Sequence, residues 1–174
     1  TVTAYLGPRE FARFNVDIVT GVTITAAPER IAAQSPVEIP GLVEVEWYAY
    51  PLVDHLADKF AAILERHGDD RQTSSRYRDL VDIAIIATSV PVNGVSLHTA
   101  ILTEFDHRSL PVPSTFAVPD QTAWRAGYDA LAKDLPTLRT LPFENAEALA
   151  SDLFAASTSD QGSGTWDPVR GRWA

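Results

Sequence analysis

Tyr50-Pro51-Leu52-Val53-Asp54-His55-Leu56-Ala57-Asp58-Lys59, followed after a polar connection by Ser75-Arg76-Tyr77-Arg78-Asp79-Leu80-Val81-Asp82, is the stretch on which the reading of this chain turns. Val53, Leu56, Phe60, Ile63 and Leu64 recur at helical spacing, which predicts an amphipathic helix over 53–66. His67-Gly68 would close it, glycine being the usual residue past a helix end. Residues 69–75 read as a polar connection. Ser75 is placed to cap a second helix running to about Thr88, with Tyr77, Leu80, Val81, Ala84 and Ile85 as its buried face. The outcome is a lysine on one helix, two aspartates on the next and arginines in the turn between them.

Upstream, the pattern changes from helical to alternating. Phe14, Val16 and Ile18 alternate with Asn15 and Asp17, and β-branched residues continue after Gly21. Residues 11–25 are therefore expected to be β, with a bulge or hairpin turn at Gly21. Pro28, Pro36 and Pro40 punctuate a loop, and Val43, Val45 and Trp47 alternate with Glu44 and Glu46 as a half-buried strand. Downstream, helices are expected near Val95 to Phe105, over 120–134 with Trp124, Tyr128 and Leu131 on one side, and over 144–155. Pro111, Pro113 and Pro119 keep the intervening stretch extended. Residues from Ser157 through Gly164 read as flexible, and Trp166 and Trp173 suggest an end folded back onto the body. The fold class is α+β, with strands in residues 1–50 and a mostly helical lobe with a Trp-containing tail in residues 51–174.

The 174 residues suffice for a real core. A hydrophobic fraction of 45% and a charged fraction of 21% are those of an ordinary globular protein. No apolar run is long enough for a membrane span, and none reads as a signal peptide. The absence of cysteine excludes disulfides and thiolate metal sites and is compatible with a reducing cytoplasm. A net charge of −9 argues against non-specific nucleic-acid binding over the whole surface, while leaving room for a local basic cleft. The chain begins at Thr1 and has no methionine, where average usage gives about four. The expectation is a processed, trimmed or partly represented polypeptide.

The candidate chemistry has a functional and a plain reading at each position. His55, Lys59, Ala62 and Arg66 flank the apolar stripe, which puts Lys59 at the edge of the core. It is either a phosphate-binding point charge or a snorkelling surface lysine. Asp79 and Asp82 share a side of the second helix. Asp79 could serve only the helix dipole; Asp82, crowded by Val81, Ile83, Ala84, Ile85 and Ile86, calls for a cationic partner, which Arg76, Arg78 or Lys59 could each be, with a structural ion pair the plain alternative. The connection Arg71-Gln-Thr-Ser74-Ser75-Arg76-Tyr-Arg78 is either an anion site built from a helix N-terminus and arginine forks, or a solvated turn whose arginines pair with Asp69, Asp70 and Asp79. Asp17, mid-strand by alternation, is either a metal-holding carboxylate or a solvent-facing one. Gly162-Ser163-Gly164 lacks the preceding strand of a phosphate loop. His55, His67, His98 and His107 have no tight metal spacing, and no Ser-His-Asp arrangement is present.

Together, the segments Phe14-Asn-Val-Asp17-Ile-Val, Tyr50 through Lys59 and Ser74-Ser-Arg-Tyr-Arg-Asp79-Leu-Val-Asp82 resemble the AbiEii/AbiGii-type nucleotidyltransferase toxins, and the pattern of Pro119, Trp124, Tyr128 and the closing Gly164-Thr-Trp166-Asp-Pro…Trp173 looks similar to actinobacterial members. The resemblance covers most of the chain. It implies likeness to the DNA polymerase beta-like nucleotidyltransferases, hence a nucleoside triphosphate substrate, Mg2+, a cytoplasmic setting, a cognate antitoxin protein, and an RNA acceptor; some members are described as modifying tRNA acceptor ends. By the same likeness Lys59 matches the phosphate-contacting lysine and Asp79, with Asp82, the arginine–aspartate motif. His55, Arg71, Ser74, Ser75, Arg76 and Arg78 fall on the phosphate side, and Asp17 on a later strand carboxylate that holds metal.

The family opens with a Gly-Ser motif and paired aspartates on a strand, which residues 1–50 do not supply. The resemblance therefore implies the remnant of a nucleotidyltransferase mixed sheet followed by the helical lobe, inactive alone because a two-metal transfer needs several convergent carboxylates. The competing reading is a non-catalytic helical module that binds antitoxin or RNA.

Overall fold

In the computed structural model, the described residues are 1–32, 41, 46–66, 73–157 and 164–174. The chain is α+β. Strands β1 (Val2–Leu6) and β2 (Arg9–Phe14) form one antiparallel pair, and β3 (Glu29–Ala32) and β4 (Glu46–Ala49) another. Helices α1 (Leu52–Leu64) and α2 (Tyr77–Ser89) follow, then the short β5 (Val92–Asn93), α3 (Gly94–His107), α4 (Gln121–Ala132) and α5 (Phe143–Phe154). A 3-10 turn at Ala155–Ser157 precedes β6 (Thr165–Asp167) and β7 (Arg172–Trp173), which extend β5 into a small antiparallel sheet. No helix among the described residues is long and apolar enough to cross a membrane.

The expected strand over 11–25 divides differently. The first pair turns at Gly7-Pro8, with Leu6 opposite Arg9. Gly7 has φ +61, the sign that tight hairpin turns require at this position. β2 ends at Phe14, and residues 15–25 form no strand. Their β-branched side chains favour extended backbone, but a strand persists only where a neighbour takes its amides and carbonyls. Gly21 makes a bend with φ +77 rather than a hairpin turn. Instead of one mixed sheet, the strands before α1 form two separate antiparallel pairs. Val43 and Val45 lie outside the described residues; Trp47 is in β4.

The core belongs to the helices. α1 packs against α3 and α2, and α2 also against α4 and α5. Phe60, Phe105, Phe116 and Phe154 form its aromatic centre, with ring centroids 5.2 Å apart for Phe60–Phe116 and for Phe60–Phe154. α1 is buried nearly all round, because Ala57, Ala61 and Ala62 are covered as well as the predicted stripe. α3 starts on an Asn93 cap that accepts from the Ser96 amide at 2.9 Å. The cap of α4 is Asp120, which accepts from the Thr122 and Ala123 amides. The tail does fold back: buried Trp166 donates to the Ala87 carbonyl at 2.7 Å and Trp173 to that of Asp152 at 2.8 Å.

Candidate functional site

α1 and α2 cross so that Lys59 of the first meets Asp79 and Asp82 of the second. Lys59 Nζ donates to Asp79 Oδ1 at 3.2 Å and to Asp82 Oδ2 at 2.6 Å. Those bonds use two of the ammonium's three donors. Lys59 is only 6% exposed and Asp79 7%. The expectation that Lys59 lies at the core edge is thereby corrected. The same all-round burial that encloses Ala61 and Ala62 encloses its stem, and the two carboxylates make the enclosed charge tolerable. Asp82, its side chain 35% exposed, is the side of the cluster that faces water.

Arg76 sits on the rim. Its Nε lies 2.8 Å from Asp79 Oδ2, and its side chain is half exposed. The approach makes an ion pair without an aligned N–H, so Asp79 Oδ2 is a buried acceptor with no hydrogen-bond donor. The guanidinium compensates the charge of that oxygen even without a linear hydrogen bond. Counting Lys59, Arg76, Asp79 and Asp82, the cluster is formally neutral, with both cations pulled toward α2.

The remaining expected residues divide. His55, one turn before Lys59 on α1, is half-buried with its ring 6.2 Å from that of Tyr50. Burial first, then the Lys59 ammonium, holds its imidazole below the ordinary value of 6.5, so it is neutral at pH 7. Ser74 is buried and its Oγ accepts from the Arg76 amide at 3.3 Å. Ser75 is exposed and does not cap α2: the N-cap is Arg76, and no side chain supplies a capping bond. Arg78 is exposed on the first turn of α2. Arg71, like His67 and Gly68, lies outside the described residues. Asp17 is exposed and follows the end of β2, not mid-strand as the alternation suggests. Among the described residues no group of three or more His, Asp or Glu side chains is placed to hold a metal ion. The described carboxylates thus do not fit a divalent cation.

Three further clusters escaped the sequence reading. Asp54, buried in the first turn of α1, accepts from the Thr25 amide at 3.0 and 3.1 Å, the Thr25 hydroxyl at 2.6 Å and the Ala26 amide at 3.3 Å. Arg108 at the end of α3 pairs with Asp58, with Glu65 at 2.7 Å and with Glu104 at 2.6 Å. These partners raise its pKa against the burial that opposes its charge. A signal for this second cluster was present, since Glu104 shares the face of Leu97, Ile101 and Phe105, and a carboxylate on a core face needs a cation. Arg108, Asp58 and Glu104 line, with residues 19–23, a cavity of about 240 Å3. There burial foremost, and then Asp54, raise the Tyr50 hydroxyl to about 12. The third cluster is buried Trp124, which donates to the Ser74 carbonyl at 3.1 Å.

Residues 1–151 match a family model described as nucleotidyl transferase AbiEii toxin, type IV TA system. No curated protein and no solved structure matches the chain.

Proposed function

Because the chain belongs to the AbiEii family of nucleotidyltransferase toxins, we propose that the Lys59–Asp79–Asp82 cluster and Arg76 form the phosphate-facing part of its nucleotide site, serving transfer from a nucleoside triphosphate to an RNA acceptor. The observation that carries this reading is the convergence of a buried ammonium and a buried carboxylate from positions 59 and 79, with the half-exposed Arg76 guanidinium on the carboxylate's other oxygen. An incoming phosphate displaces Asp82, the more exposed partner, from Lys59 and recruits the Arg76 guanidinium. The released Asp82 then becomes an acceptor for the hydroxyl of the RNA, while Asp79 stays on Lys59 through Oδ1. Arg78, exposed on the first turn of α2, extends the positive rim toward RNA. His55, neutral, adds a hydrogen-bonding edge without adding charge. An antitoxin is the partner protein that membership implies. Alone, this polypeptide is proposed not to complete transfer: Lys59 occupies Asp79 and Asp82, and Asp17 stands apart in the segment after β2.

One observation favours a second reading. Lys59 is almost wholly enclosed and doubly paired, as in a structural ion pair of a non-catalytic module. Removing one partner of a buried pair costs about 3–5 kcal/mol, whereas replacing both by apolar side chains is often neutral. The test therefore uses Lys59→Met combined with Asp79→Leu, which keeps the helices packed. Titration with ATP, GTP, CTP and UTP is expected to show salt-sensitive binding by the wild-type chain that the double variant abolishes at an unchanged Tm. If no triphosphate binds, the cluster is structural. Incorporation of labelled nucleotide into tRNA by the wild-type chain alone would overturn the proposed inactivity.

A further inference from the structure

We infer that Trp124 is a positioning residue for the nucleotide site: through its hydrogen bond to the Ser74 carbonyl it fixes the turn that presents Arg76 beside Asp79. This rests on the phosphate-site reading above. The start of α2 is unusual. Its N-terminus has no side-chain cap, although Ser74 and Ser75 stand next to it. The turn must be held by something else, because uncapped first turns fray.

The holder is α4. The Trp124 indole N–H donates to the Ser74 carbonyl at 3.1 Å across fifty positions of sequence, and both residues are buried. The Trp124 ring meets Tyr77, in the first turn of α2, edge to face at 5.2 Å and 88°. One turn along α4, Gly127 leaves the space that the Tyr77 ring fills: a β-carbon there would lie 2.2 Å from Tyr77 Cδ2. From Ser74 the constraint passes inward. The Ser74 hydroxyl oxygen accepts from the Arg76 amide at 3.3 Å, and the Arg76 carbonyl accepts from the Asp79 amide at 2.9 Å. The backbone that carries the rim guanidinium is thus pinned at Ser74 and Tyr77 by one indole and one glycine gap. The Trp124 contacts end on Ser74 and Tyr77, and Lys59 is reached only beyond Arg76, through Asp79, so a loss at Trp124 acts on Arg76 before it acts on the ammonium.

That selectivity separates positioning from general stability. ATP affinity is measured for wild type, Trp124→Phe, Arg76→Ala and the combined variant at several salt concentrations, with Tm as the folding control. Trp124→Phe keeps an aromatic ring against Tyr77 but removes the donor. It is expected to weaken ATP binding about 5-fold, the scale of one neutral hydrogen bond, and to lower the salt slope to that of Arg76→Ala. In the Arg76→Ala background the same change should have no further effect, since residues of one network are non-additive. Should Trp124→Phe fail to fold, benzothienylalanine at position 124 keeps the indole shape with sulphur in place of the N–H, and the same result is expected. Additive losses, or an unchanged salt slope while the wild type binds ATP, overturn this inference alone. An absence of ATP binding by the wild type overturns it together with the site reading.

Discussion

Phe60 and Phe11 are the same side chain in two different surroundings. Phe60, on α1, is fully buried, whereas Phe11, on β2, is 74% exposed. The contrast holds across the regions they represent. In the helical lobe the large apolar residues meet one another in a single core. In the first 24 residues Tyr5, Leu6, Phe11, Phe14, Val16, Ile18 and Val19 stand open, Ile18 at 85%. The difference is one of layers. A helix with a wide apolar face can bury it against four others, but a two-stranded ribbon has two faces and covers neither by itself. The lobe buries its large apolar side chains within itself, whereas the β region leaves most of its own exposed.

The largest expected effect lies in the lobe. Phe60→Ala removes the ring shared by Phe116 and Phe154 and should cost about 3–5 kcal/mol, read as a lower urea midpoint with an unchanged slope. A loss under 1 kcal/mol would mean that the aromatic centre repacks freely, and the contrast with the β region would weaken.

The same division explains what the sequence disclosed. The helices were legible because the spacing of Val53, Leu56 and Phe60, or of Leu80 and Ala84, survives in any packing. The meeting of Lys59 with Asp79 and Asp82 was legible through helix faces and family resemblance. The depth of Lys59 was not, because Ala57, Ala61 and Ala62 look the same in a sequence whether covered or bare. Residues 15–25 misled because β-branched composition reports preference for extended backbone, while pairing depends on a neighbour elsewhere. The indole bond from Trp124 to Ser74 and the carboxylate of Asp54 under Thr25 were out of reach. Each joins a side chain to a backbone group of a distant segment, and backbone groups carry no sequence signal.

Asp54 tests how the two regions are joined. Its carboxylate takes both successive amides of Thr25 and Ala26, and nearby the Tyr50 hydroxyl donates to the Thr23 carbonyl at 2.8 Å. Asp54→Asn keeps the size but replaces one acceptor oxygen by a donor. A loss of about 1.5–3 kcal/mol is expected, the scale of hydrogen bonds to a charged group. Amide exchange should show the cost locally: Thr25 and Ala26 lose protection while Phe60 and Leu80 keep theirs. If protection falls evenly through α1 and α2, the segment is integral to the lobe and not hung from it.

The smallest effect is the sharpest discriminator. Phe11→Ser removes an aromatic ring from a strand, a change that in a core costs several kcal/mol. Here the ring has little apolar surface to leave. Its partner strand is held by backbone pairing, Ala4 opposite Ala12 and Thr3 opposite Arg13, which the substitution does not touch. Stability is therefore expected to change by no more than about 0.5 kcal/mol, as for surface positions generally. The measurement is the urea midpoint at dilute protein concentration and again at a concentration tenfold higher. A drop above about 1 kcal/mol at both concentrations would show that Phe11 is covered within one chain. A drop only at the higher concentration would show that the ring is covered by a second copy. An unchanged midpoint at both leaves the ring as it stands, an apolar side chain on a ribbon whose own layer cannot bury it.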